Sequence, residues 1–183
     1  SAPFMFNKAQ TPENLTEERF GFQPNDTQLA VTNYLENLPS YETCLIIEAP
    51  MGLGKTEASL VAAEIMGGQT GSSGFFFGLP TMATTNAMHA RMEPYMALLA
   101  PSQHIRVQHS KSSFYSASKQ AEGHVLPNSE WIDHGTRKTL APFIAGTVDS
   151  FLLTSLKMKY PFWRFLGFAS KVIIIDEVHS YDP

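Results

Sequence analysis

Two short stretches of this chain carry residue types that can act on one ligand. Glu48–Thr56 reads EAPMGLGKT, which spaces glycine, lysine and threonine as in the phosphate-binding loop G-x-x-x-x-G-K-[ST], with Ala49 standing at the first glycine. The chemistry survives that change. Gly52 and Gly54 permit a tight turn whose successive N–H groups converge on phosphate oxygens. A helix opening at Lys55 adds its positive end to the same place. Lys55 is spaced to set a point charge on the β- and γ-phosphates, and Thr56 to offer a hydroxyl to Mg²⁺. On this reading Ala49, Pro50, Met51, Gly52, Leu53 and Gly54 surround a nucleotide together with Lys55 and Thr56.

The second stretch, Lys171–His179, reads KVIIIDEVH. Its aliphatic run delivers an acidic pair to the end of a strand, and open parallel sheets bind ligands at the carboxyl ends of their strands. Asp176 is then a ligand to the Mg²⁺ shell. Glu177 is placed to orient or deprotonate an attacking water. His179 gains its interest only from following these two residues. An acidic pair after a strand is by itself an ordinary helix start; joined to Lys55 and Thr56, it completes a Mg-ATP site.

Positioning these groups requires alternating strands and helices. Asn25 or Asp26 can cap a helix running to about Leu38. Cys44–Glu48 (CLIIE) reads as a buried parallel strand leading into the loop, and a helix from Lys55 to about Met66 follows, ended by Gly67-Gly68. Gly74–Leu79 (GFFFGL) is a second buried strand. The next helix starts near Thr81 and carries Met88, Met92, Met96 and Leu99 on one face as core, with Pro94 expected to kink or split it. Further strands are expected at His104–Gln108, Pro142–Gly146 and Lys171–Ile175, and a helix over Val148–Met158. Residues 1–21 read as a linker or lead-in segment before a single lobe over 22–183, and residues 110–139 as a long loop. Tyr160–Phe168 reads as an amphipathic turn packed beneath the acidic strand or as a partner surface. The pattern predicts an α/β fold, a parallel β-sheet with helices on both faces.

Composition agrees with one domain that has a real core: 183 residues, 43% hydrophobic and 16% charged. A net charge of −4 argues against a general nucleic-acid coat but leaves room for a local track, for which Lys157, Lys159, Arg164 and Lys171 form a basic run. With Cys44 as the single cysteine, no internal disulfide can form and a reducing cytoplasm is the expected home. No membrane span is expected, because no run of eighteen apolar residues occurs. The chain starts at Ser1 without methionine and stops at Pro183, shortly after the acidic segment, so it reads as part of something longer.

The pair of motifs resembles superfamily two helicases and translocases, whose motor is two RecA-like lobes with ATP in the cleft. FGFQPNDTQ resembles their Q motif, which implies that Gln28 reads the adenine edge and that Phe22 stacks near it. LPTMATTNAM resembles a segment in which Thr81, Thr84, Thr85 and Asn86 meet DNA phosphates, and AGTVDSFL another, led by Thr147. With QHSKSSF, FLG and VIIIDEVHSYD, the set resembles more narrowly the CRISPR-associated helicase–nuclease of type I interference systems, from about Phe20 to Asp182. Met51 and Leu53 depart from it, standing where relatives commonly carry Thr and Ser. That resemblance implies a RecA-like ATP-binding lobe of a prokaryotic, DEVH-box, ATP-dependent DNA helicase in antiviral defence. It further implies ATP and Mg²⁺ as cofactors, with Lys55, Asp176, Glu177 and His179 as the catalytic set. Single-stranded DNA, a second RecA-like lobe, a nuclease domain and a guide-RNA surveillance complex are the implied partners. Nothing in the chain resembles a nuclease metal site, since Asp133-His134 has the wrong order for an adjacent His-Asp pair. Hydrolysis by the isolated chain is expected near background, because an arginine finger would come from the opposing lobe. A nucleotide-dependent switch or binding module, and a lobe of another superfamily two restriction or repair motor, are the alternative readings.

Overall fold

Short apolar runs rich in aromatic and β-branched residues form the strands, and the segments between them fold back as helices. The structure, a computed structural model, describes residues 4–8, 14–38, 44–103, 105–108, 141–152 and 168–181. Strands β1 (Phe75–Leu79), β2 (Arg106–Gln108), β3 (Phe143–Thr147) and β4 (Val172–Ile175) pair in the order β2-β3-β1-β4, all parallel. The helices are α1 (Leu15–Phe20), α2 (Asp26–Glu36), α3 (Lys55–Thr70), α4 (Met82–Leu99) and α5 (Val148–Leu152), with a 3₁₀ turn at Val178–Tyr181 after β4.

The alternation of strand side chains divides the core in two. Phe75 and Phe77 join Phe143, Ala145 and Ile174 on one face, under Leu60 and Ala63 of α3 and Met92, Tyr95 and Met96 of α4. Phe76 and Ile144 face the other way, onto Phe168 with Phe151 and Ile173. Both faces are thus covered, as an all-parallel sheet demands. The three phenylalanines of β1 are fully buried, each contributing about 1.5–3 kcal/mol of transfer free energy. A third cluster packs Val31 and Leu35 of α2 on Ala58, Val61, Ala62 and Ile65 of α3. The methionine stripe of α4 is core, as its spacing predicts.

Several elements depart from expectation. Cys44–Glu48 forms no strand. Leu45 and Ile47 pack against the α2–α3 cluster, but Cys44 is exposed and Ile46 is 84% exposed. The segment is therefore half-buried, and among the described residues it has no ladder neighbour to make it a strand. Helix α3 runs through Gly67-Gly68 to Thr70 and is capped by Gly71 at φ 66°. Gly67 serves close packing instead of termination, since a Cβ there would lie 2.4 Å from the Phe6 ring. Pro94 neither splits nor ends α4; Met92, Tyr95 and Met96, all buried around it, hold the helix through the missing hydrogen bond. The lead-in contributes structure of its own: Phe6 is buried in the main core, and α1 carries Arg19 onto Glu64 of α3. The five residues Val148–Leu152 are the described part of the helix expected there. His104, residues 110–139 and Tyr160–Gly167 lie outside the described residues; Phe168 packs beneath the sheet.

Candidate nucleotide-binding site

The site begins with a contrast between helix starts. Helices α2 and α4 are each closed by a full capping box, Asn25 with Gln28 and Thr81 with Thr84. Helix α3 has Gly54 at its N-cap and no side-chain cap, so its first N–H groups remain available for an anion. Gly52 and Gly54 take φ 83° and 68°, the left-handed conformation that the turn requires. Gly54 is also held by close approach, because a Cβ there would lie 2.5 Å from Gln28 Nε2.

The neighbouring helix steadies this loop. Asn25 Nδ2 donates to the Leu53 carbonyl at 3.1 Å, and Gln28 Nε2 to the Gly54 carbonyl at 3.4 Å. The Gln28 side-chain oxygen accepts from the Asn25 amide at 3.1 Å. Gln28 is 1% exposed, so its amide is engaged with α2 and the loop. Lys55 Nζ donates to the carbonyls of Ala49 at 2.6 Å and Pro50 at 3.0 Å, which folds its ammonium back over the loop.

Strand β4 brings the acidic pair to the same place. The Asp176 amide donates to the Gly78 carbonyl at 3.0 Å, continuing the ladder one step beyond Ile175. Asp176 Oδ1 accepts from the Glu177 amide at 2.9 Å, and Glu177 takes φ 55°. His179 is largely exposed, with Nε2 3.2 Å from Glu177 Oε2.

One cleft of about 500 Å³ gathers these parts. Phe22, Gln28, Met51, Gly52, Gly54, Lys55, Thr56, Asp176 and Glu177 all line it. Ala49, Pro50, Leu53 and His179 stand outside the wall, the first three touching it through carbonyls that accept from Lys55 and Asn25. Phe22 is half-exposed and stacks on Phe20, ring centroids 5.9 Å apart; Phe20 in turn stacks on Tyr95 at 5.5 Å. Three wall residues escaped the sequence reading as site groups: Asn25, Glu57 and Arg91. Asn25 was legible only as a helix cap. Arg91 shares a face of α4 with Thr84 and Met88, at i, i+4 and i+7, which is the one signal that could have found it.

The residues at the openings of α4 and α5 divide by burial. Thr81, Thr84 and Asn86 are exposed at the start of α4. Thr85 is fully buried, its hydroxyl donating to the Thr81 carbonyl at 2.8 Å. Thr147 is buried and its hydroxyl accepts from the Ser150 amide at 3.3 Å. Burial lowers the Lys171 pKa to about 8. Thr84 and Arg91 also border a smaller cavity of about 240 Å³ that reaches Thr56, Asp176 and Glu177.

A parallel sheet carrying an uncapped glycine loop and a strand-end acidic pair over one cleft defines a phosphate-loop nucleotide-binding lobe of the RecA-like kind. No protein-family model matches the chain. It is, however, 39% identical to the CRISPR-associated nuclease/helicase Cas3 of Streptococcus thermophilus over 92% of its own length, and 32% identical to the CRISPR-associated endonuclease/helicase Cas3 of Thermus thermophilus over 87%. The crystal structure of T. fusca Cas3-AMPPNP superposes with a TM-score of 0.76 at 35% identity, covering 94% of this chain and 20% of that one. The chain therefore matches a segment of the Cas3 nuclease/helicases, and it spans about a fifth of the length of the curated relatives.

Proposed function

We propose that this chain is the ATP-binding lobe of an ATP-dependent DNA helicase acting in CRISPR antiviral defence in a prokaryotic cytoplasm. The observation that carries the reading is the cleft of about 500 Å³ that joins the uncapped start of α3 to Asp176 and Glu177. The likeness to T. fusca Cas3-AMPPNP supports a nucleotide as its occupant.

The loop amides and the α3 terminus bind phosphate oxygens, and Lys55 exchanges the carbonyls of Ala49 and Pro50 for the β- and γ-phosphates. Gln28 and Phe22, on the wall of the same cleft, are the residues assigned to the base. The donor set also fits Mg²⁺. Among the described residues no group of three or more His, Cys, Asp and Glu could hold a metal ion alone, whereas Mg²⁺ commonly takes one or two protein oxygens and completes its shell with phosphates and water. Thr56 Oγ1 and the Asp176 carboxylate are the oxygens that would hold it, and the chemistry it would supply is neutralisation of charge on the transferred phosphoryl group. Glu177, next to Asp176 on the cleft wall, orients or deprotonates the attacking water, and His179 positions the Glu177 carboxylate from outside.

Thr81, Thr84 and Asn86 contact the backbone of single-stranded DNA, while Thr85 and Thr147 support those surfaces from within. The remaining partners are a second RecA-like lobe, a nuclease domain and a guide-RNA surveillance complex. In keeping with this, a CRISPR RNA-guided surveillance complex in its pre-nicking state contains a chain that superposes with a TM-score of 0.61 at 31% identity. The test is ATP turnover by the full-length parent protein with and without single-stranded DNA. DNA-stimulated hydrolysis is expected; hydrolysis indifferent to DNA would reduce the lobe to a nucleotide switch.

A further inference from the structure

Glu57 follows Thr56 directly and lies in the first turn of α3, beneath the phosphate loop. Its side chain is only 14% exposed. One carboxylate oxygen accepts from the Arg91 guanidinium of α4, while the other is buried without a hydrogen-bond partner among the described residues. Arg91 is thus the charge partner of a buried carboxylate, and removing it leaves that charge uncompensated beside the phosphates. Arg91 also borders both cavities, the nucleotide cleft and the smaller one that reaches Thr84 near the exposed opening of α4. Among the described residues no other ion pair joins α3 to α4.

We propose that Arg91 is a positioning residue for the ATP reaction, whose ion pair with Glu57 fixes α4 to the first turn of the phosphate-loop helix and couples nucleotide state to the DNA-facing end of α4. This rests on the ATP-driven reading above. Glu57 follows Thr56 in the first turn of α3, so a displacement of α4 on meeting DNA moves that turn with it, and with it the Thr56 hydroxyl and the Lys55 ammonium. An arginine that instead bound phosphate directly would act through affinity for the nucleotide.

The two roles separate in a double-mutant cycle on the full-length parent protein, using Arg91→Ala, Glu57→Gln and the combination. Arg91→Ala is expected to lower kcat in the presence of single-stranded DNA by about tenfold, within the usual span of coupling between sites. The KM for ATP should change by less than about threefold, as for a group that does not bind substrate itself. Adding Glu57→Gln to Arg91→Ala should cost nothing further, because it removes only the charge whose partner is already gone. Arg91→Lys, which keeps the charge but loses the fork, should fall between wild type and Arg91→Ala. Losses that multiply in the double variant, or a loss from Arg91→Ala confined to KM, overturn the proposal. Absence of DNA stimulation in the wild-type parent would instead remove the functional reading on which it rests.

Discussion

The Glu177 amide donates to Oδ1 of Asp176 at 2.9 Å, and with that bond Glu177 is held at φ 55°. It is the only non-glycine residue of positive φ among the described residues. Such a conformation costs on the order of 1–3 kcal/mol and persists where the surroundings over-determine it. Here it turns the second carboxylate into the cleft wall instead of along the strand.

Two substitutions separate the carboxylate from the backbone. Glu177→Gln should leave nucleotide affinity within a few-fold of wild type while lowering kcat by about 10²-fold or more, the usual contribution of a positioned base. Glu177→Gly should lose hydrolysis equally yet unfold no earlier, since glycine tolerates positive φ at little cost. Nucleotide titration, turnover and thermal melting of the parent protein check both. Binding and hydrolysis lost together in Glu177→Gln would make the residue a structural one.

Lys55→Ala should abolish hydrolysis while leaving the fold in place. Among the described residues Lys55 Nζ holds the two carbonyls of Ala49 and Pro50, the first bond part-buried and the second exposed, and such hydrogen bonds contribute roughly 0.5–1.5 kcal/mol each to stability. Turnover near wild type would refute the phosphate-loop assignment.

The two loop glycines should respond unequally to alanine. Gly52→Ala meets open space and incurs only the cost of positive φ, about 1 kcal/mol. Gly54→Ala adds the collision with Gln28 and should lose at least about 1 kcal/mol more. Denaturant midpoints at constant slope measure the difference, and equal losses would mean that Gln28 yields freely.

A buried network between α1, α3 and α4 predicts a pH dependence. Arg19 reaches Glu64 through Nε at 3.0 Å and a second nitrogen at 2.6 Å, and the Tyr95 hydroxyl donates to the same carboxylate at 3.1 Å. Burial first, and then the charge of Glu64, raise the Tyr95 phenol well above its ordinary value of 10.0. The folded protein holds that proton more tightly than the unfolded chain. Stability is therefore whole below the ordinary phenol pKa and declines as pH rises through it toward the folded value. Tyr95→Phe should flatten this alkaline decline, and Glu64→Ala should cost about 3–5 kcal/mol by stranding Arg19. Urea titrations across the alkaline range read both, and an unchanged slope for Tyr95→Phe would contradict the linkage.

DNA contact should be sequence-independent and salt-sensitive, with log affinity falling linearly against log salt. Combining Thr84→Ala with Asn86→Ala should weaken binding of single-stranded DNA, whereas Thr85→Val, at a fully buried position, should alter stability more than affinity. Filter binding over a salt series distinguishes these; a tight, salt-independent complex would contradict the proposed contacts.

The parts that were legible share a cause. The glycine loop, the strand β1 and the acidic strand end are local patterns in which composition decides conformation, and the sheet's two faces follow from the alternation of Phe75, Phe76 and Phe77. Cys44–Glu48 misled because a run of apolar residues reports burial, and a strand also needs a hydrogen-bonding neighbour that lies elsewhere in sequence. Gly67 misled because the Phe6 ring fills the place of its missing side chain, an approach invisible at a separation of sixty-one positions. The ion pairs Arg19–Glu64 and Arg91–Glu57 were unreadable for the same reason. Each joins charges that, taken singly, look like members of a solvated helix face.

Strand register has a consequence for any attempt to transplant this chemistry. Gly78 pairs with Ile175, and Leu79 with Thr147, so Asp176 emerges level with Leu79 at the end of its neighbour β1 and with Thr147 at the end of β3 beyond it. Slipping β4 by one residue would carry the carboxylate about 3.3 Å along the strand axis and turn it to the opposite face of the sheet. The four letters DEVH are therefore not a portable module. What would have to be grafted is the pairing of Phe75–Gly78 with Val172–Ile175, and a scaffold offering the letters without that alignment would display two acids and catalyse nothing.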